Sequence, residues 1–213
     1  MKQNHKEHIL FAKKMFLYIL SCACISVGIS IFVNNGWGSD PISVWLDGLH
    51  HSLSISLGNA STLNTFGTIV VALFIARKYF GVGTLMGIFF IGPILNIVDG
   101  SIQEMVFFSD SWIWKTAMLC LGETIICIGA GLSIATKFGC AAIDCILLSI
   151  TDKTKIKYQY LKIIADILYT LFGFLLGGVI GIGSIFSAIV TGAMIAYFRK
   201  VFEKTIIKWW KIS

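Results

Sequence analysis

The sequence predicts an all-α polytopic membrane protein, with about six transmembrane helices in two inverted three-helix repeats and short re-entrant segments. Three observations point there: long apolar runs, a one-sided spread of basic residues, and glycines that recur about 100 positions later. Of the 213 residues, 56% are hydrophobic and 13% charged. A soluble domain carries roughly 25% charged residues, so too few solvated side chains remain to cover a water-facing surface.

A hydrocarbon core of ~30 Å needs about 20 helical residues. Six runs approach that length: 14–33, 59–76, 81–98, 113–136, 159–180 and 184–198. The first follows Lys13 and Lys14 and lacks a small-residue cleavage site, so it reads as a retained span and not a signal peptide. Two shorter pieces, 41–53 and 140–150, read as re-entrant or interfacial.

With a cytoplasmic amino terminus and six crossings, all 17 basic residues except Lys115 fall in cytoplasmic segments, and Asp99, Glu104 and Asp110 fall in the central outer loop. If both short pieces crossed, Arg77, Lys78 and Lys137 would lie outside and Lys115 inside, a poorer bias. The expected frame is one membrane domain over 1–213, with repeats at 14–98 and 113–198 and a basic cytoplasmic tail at 199–213. Both termini then lie in the cytoplasm. The net charge of +6 is thus a topology signal, and no nucleic-acid partner is expected.

The repeat rests on ordered anchors. Gly28-Ile29-Ser30-Ile31 returns as Gly131-Leu132-Ser133-Ile134, and Gly36 returns as Gly139. Gly81-Val82-Gly83-Thr84 returns as Gly181-Ile182-Gly183-Ser184, Gly92 as Gly192, and Asp40 aligns with Asp144 after a one-residue gap. Three spans per half is an odd number, so the halves must be inverted, a plan common among secondary transporters.

Gly36-Trp37-Gly38-Ser39-Asp40-Pro41, Gly81-Val82-Gly83-Thr84, Ile91-Gly92-Pro93 and Leu176-Gly177-Gly178 resemble the YczE/YyaS branch of the YczE/YitT family of bacterial membrane proteins, over about residues 14–198. The chain departs from that pattern at Cys140-Ala141-Ala142-Ile143-Asp144, at Asp166 and at Asn96. The resemblance implies a multi-pass protein of the bacterial cell (inner) membrane and names no substrate.

Within the spans, Glu123 and Asp166 are the polar residues most costly to bury, and each is a candidate proton or cation site. The structural alternative makes them interhelical hydrogen-bond partners, with Asp166 reaching toward Lys162 at the cytoplasmic edge. Asn64 stands near the position equivalent to Asp166 as its uncharged counterpart. Asp40-Pro41 reads as a helix N-cap and first helical residue, and Asp144 is expected to cap in the same way. Asp47, at i to His50 and His51 at i+3 and i+4, can reach one imidazole.

Gly173, Gly177 and Gly181 form a packing ridge in sequence, as do Gly83 and Gly87. The six cysteines form no C-x-x-C pair, and the histidines stand at no ligand spacing from them, so no metal or cofactor is expected. No nucleotide loop and no nucleophile–base constellation is present, so an enzyme is not expected. The expected function is a secondary transporter for a small solute or ion, coupled through Glu123 and Asp166. The alternative is a non-transporting scaffold or regulator of a partner complex, served by glycine ridges and the tail Lys208-Trp209-Trp210-Lys211. The expected partners are the lipid bilayer, the small solute or ion, and room for a second copy of the chain.

Overall fold

The computed structural model describes residues 2–105 and 111–210, with side chains for 8–103 and 111–206. Glu104, Asp110 and the Lys208–Lys211 tail named above lie outside the described side chains. Among the described residues the chain forms eight helices: α1 (Lys2–Asn34), α2 (Pro41–Leu53), α3 (Leu57–Ile75), α4 (Val82–Met105), α5 (Trp112–Ala135), α6 (Ala142–Thr154), α7 (Tyr158–Leu175) and α8 (Ile182–Trp210). Stretches of α1, α3, α4, α5 and α8 are long and apolar enough to cross a bilayer. Large apolar side chains such as Phe66, Phe74, Phe89 and Ile113 face outward, as lipid contact requires. The chain is a polytopic α-helical membrane protein.

The expected fifth span, α7, is 18 residues long and carries Lys162 and Asp166. It also ends earlier than the apolar run, at Leu175, because Gly177 takes φ +96° and turns the chain. The expected ridge of Gly173, Gly177 and Gly181 is therefore not one helix face. Gly173 instead lies against the Val44 and Trp45 backbone of α2, and Gly181 lies against Trp37 and Gly38. Gly83 and Gly87 do form a packing face, taken up by the Tyr18 side chain.

Helix directions follow from which residues meet. Gly129 of α5 packs on Ser21 and Ile25 of α1, while Gly28 packs on Gly122 and Ile126, so α1 and α5 are antiparallel. Tyr18 meets Gly83 and Gly87, Ser26 Oγ donates to Ile91 O at 3.2 Å, and Ser30 Oγ donates to Asp99 Oδ1 at 2.8 Å, so α4 runs parallel to α1. By the same test α8 runs parallel to α5, since Gly183 meets Leu119 and Gly131 meets Phe198.

The two short helices are 13 residues each, about 20 Å long, too short to cross comfortably. Each packs on the other half of the chain: α2 against α7, and α6 against α3, where Ser149 Oγ donates to Ile75 O at 2.9 Å. The turns before them are exchanged as well. Trp37 O accepts from Gly183 N at 3.0 Å, and Phe138 O accepts from Gly83 N at 3.1 Å.

Candidate functional site

The N-termini of α2 and α6 meet helices of both halves around one interior cavity of about 90 Å³, part of it open to the surface. Its polar wall comprises Asp40, Asp144, Lys162, Asn64, Thr191 and the hydroxyls of Ser61, Thr65, Thr68 and Thr84; its apolar wall includes Tyr18, Ile25, Ile29, Ile91 and Ile126.

Asp40 is the N-cap of α2. Its carboxylate accepts from Ser43 N at 3.3 Å and from the Ser43 hydroxyl, with Pro41 at the first helical position. The capping pattern read from the sequence is the one formed. Asp144 does not copy it. Ala141 takes the N-cap position of α6, and Asp144 sits in the first turn, where Tyr158 Oη donates to its Oδ1 at 2.9 Å. The expected shared capping role fails because the departure Cys140-Ala141-Ala142 starts the helix at Ala142, two residues before the aspartate. A carboxylate in the first turn still answers the helix dipole, so both half-helix N-termini are matched by an acid.

Lys162 was counted above among the cytoplasmic cations. In the structure it is 4% exposed, its Nζ bonded to Asp166 Oδ1, and its charge faces Asp144 and Asp40. Asp166 therefore does not reach out to a surface lysine; the pair is interior. Its Oδ2 has no hydrogen-bond partner. The Asp166–Lys162 contact read as the structural alternative is formed, as i,i+4 spacing on a helix allows, and only its interior position differs from that reading.

Glu123 stands one layer behind the cavity wall. Ser187 Oγ donates to its Oε2 at 2.7 Å, Thr191 Oγ1 to Oε1 at 2.6 Å, and Cys127 Sγ approaches Oε1 at 3.2 Å. The Thr191 hydroxyl has a single proton and a second acceptor, Ser187 O, also at 2.6 Å. Thr191 thus joins Glu123 to the cavity, as Lys162 joins Asp166. Asn64 lines the cavity and accepts from Trp45 Nε1 at 3.1 Å, so it braces α2. By helix starts, Leu57 matches Tyr158, which sets Thr65 and not Asn64 opposite Asp166.

The interior therefore holds Asp40 at 6%, Glu123 at 1%, Asp144 at 3% and Asp166 at 0% exposure around one ammonium. Unpaired charges cost several kcal/mol each to bury. Such a set is stable when protons or another cation offset the excess of carboxylates. Among the described residues no group of three or more metal-ligating side chains is formed. Asp47, in the middle of α2, accepts from Val179 N at 2.9 Å and reaches His51 Nε2 at 3.4 Å.

A family of unknown function, DUF6198, matches residues 12–200. The uncharacterized protein YyaS of Bacillus subtilis is 22% identical over 193 residues, covering 90% of this chain and 94% of that protein. An uncharacterized protein of Haemophilus influenzae is 22% identical over 193 residues, covering 90% and 86%. The uncharacterized membrane protein YczE of Bacillus subtilis is 27% identical over 164 residues, covering 73% and 72%. No solved structure matches. The resemblance read from the glycine motifs is borne out.

Proposed function

The chain belongs to the DUF6198 family, and on that premise we propose that it is a secondary transporter of the bacterial cell membrane, moving a small solute or ion. The observation that carries the proposal is the interior cavity into which two short helices point their N-termini, one from each half, lined by acids and a buried lysine. Broken or re-entrant helices that place their ends at a central site are a recurrent transporter device.

The reading takes the chain to make six crossings in two inverted halves. Antiparallel α1 and α5 fit that count, since eight crossings would make them parallel. The exchanged turns fit it too: each glycine turn docks on the helix start of the opposite half. In this frame α7 is the fifth span, its charges turned inward, and both termini face the cytoplasm. Asp40, Asp144 and Lys162 contact the solute, with Asn64 at their side, and Glu123 and Asp166 act through Thr191 and Lys162.

The test is flux in liposomes holding the purified protein, loaded with a pH-sensitive dye and challenged with a panel of small ions and solutes. Saturable, proton-linked uptake that Glu123→Gln alters and Asp144→Asn abolishes supports transport. A tight, dye-silent membrane across the panel, with a stoichiometric partner co-purifying from native membranes, favours the scaffold instead.

A further inference from the structure

The cavity carries its own clue to what it takes. Its one cation is a lysine ammonium held inside the protein, bonded to Asp166 and facing Asp40 and Asp144. The fold therefore already accommodates an alkylammonium group at this wall, and Asp166 Oδ2, behind the cavity lining, is fully buried and receives no hydrogen bond. An ammonium offers three donors on a compact point charge, which suits carboxylates converging from different helices.

The apolar wall opposite these groups is unlike an inorganic-ion cage. Tyr18, Ile25, Ile29 and Ile91 present largely hydrocarbon. That surface gains by covering an apolar body and gives nothing to a bare alkali ion. Anions are disfavoured despite the two helix N-termini, because Asp40 and Asp144 already answer both dipoles.

We propose that the cavity binds a small organic ammonium cation, its charged end on Asp144 and Asp40 and its apolar body against Tyr18, Ile25 and Ile91. The inference rests on the reading of this cavity as the transport site and names its ligand class. Lys162 is then an internal competitor: it holds the acids when the cavity is empty and yields to the incoming amine.

The experiment is a thermal-shift and calorimetric titration of the purified full-length protein in detergent. The probes are n-butylammonium chloride, n-butanol, sodium chloride and potassium chloride at matched ionic strength. Expected is a saturable stabilisation by n-butylammonium alone, lost in Asp144→Asn. Lys162→Met removes the competing charge and tightens binding by about tenfold, equivalent to ~1.4 kcal/mol. Should Lys162→Met not fold, Thr65→Phe fills the cavity from α3 without touching an acid, and it must abolish the butylammonium signal. Equal shifts from sodium or potassium, or a butylammonium shift that survives both Asp144→Asn and Thr65→Phe, overturn the proposal. Amine binding without flux would leave the proposal standing and remove the transport reading. Flux of another solute with no amine binding does the reverse.

Discussion

Gly183 donates its backbone N–H to the carbonyl of Trp37 at 3.0 Å, stitching the start of α8 to the turn before α2. The other half repeats the stitch, with Gly83 donating to Phe138 O at 3.1 Å before α6. These junctions hold both short helices at the depth where their N-termini reach the cavity.

The first prediction concerns those junctions. Gly38 has φ +92°, and a Cβ there would stand 2.4 Å from Gly181 N; Gly139 has φ +152°, with Thr84 N at 2.4 Å. Backbone cannot move aside as a side chain does. Gly38→Ala and Gly139→Ala are each expected to destabilise by about 2–4 kcal/mol, from strain and overpacking together. Gly67→Ala, with nothing within 4 Å, is expected to be neutral or mildly stabilising. Thermal melting in detergent checks all three.

Much of this architecture was legible beforehand. Apolar length gave the five longest helices, and the 13-residue pieces declared themselves too short to cross. Asp40-Pro41 spelled a helix start because an acid cap followed by proline has little other use in an apolar chain. The interior of α7 was not legible. Lys162 follows Lys153, Lys155 and Lys157 in sequence, and charge counting cannot tell a solvated lysine from one turned toward a cavity. Asp144 was misread as a cap because aligning acids by chemistry ignored where the helix begins, at Ala142. Gly177 reads as packing in a string of glycines until its left-handed φ shows that it ends a helix.

The buried Lys162–Asp166 pair yields a second prediction. Neutralising one member leaves the other charge without its partner, which typically costs about 3–5 kcal/mol. Lys162→Met and Asp166→Asn are each expected to lower the melting temperature markedly, and the double variant to recover most of the loss. A double-mutant cycle on detergent melts measures the coupling. Additive losses would mean that other groups, not the pair, bear the charge.

Around Glu123 the expectation differs. Gln keeps a side chain of the same length that still accepts from Ser187 or Thr191, so Glu123→Gln should hold stability within about 1 kcal/mol. Glu123→Ala strands both hydroxyls and should cost about 2–3 kcal/mol, less when Ser187→Ala and Thr191→Val are already present. The readout is the melting temperature of the four combinations.

At the end of α6, Lys78 Nζ meets Asp152 Oδ2 at 2.5 Å, and Tyr79 Oη donates to the same oxygen at 2.9 Å. The bond to Asp152 and its charge hold the Lys78 pKa above the usual lysine value; the same contacts with Lys78 and Tyr79 hold the Asp152 carboxyl below its usual range. Because the carboxyl is depressed in the fold, its contribution is present above the unfolded carboxylate pKa and is lost as pH falls through the lowered one. Asp152→Asn is therefore expected to speed acetylation of Lys78 at mildly alkaline pH, read by mass spectrometry, with no measurable change in melting.

Single cysteines at His8, His51 and Lys78, in a chain whose own six cysteines are replaced, test the inverted halves most directly when labelled with a membrane-impermeant maleimide on intact cells and on inverted vesicles. If α2 turns back without crossing, positions 8 and 78 label from one face and position 51 from the opposite face. Labelling of 8 and 51 from the same face would mean that α2 crosses. The two halves would then run parallel, and the central cavity could not open alternately by their symmetry.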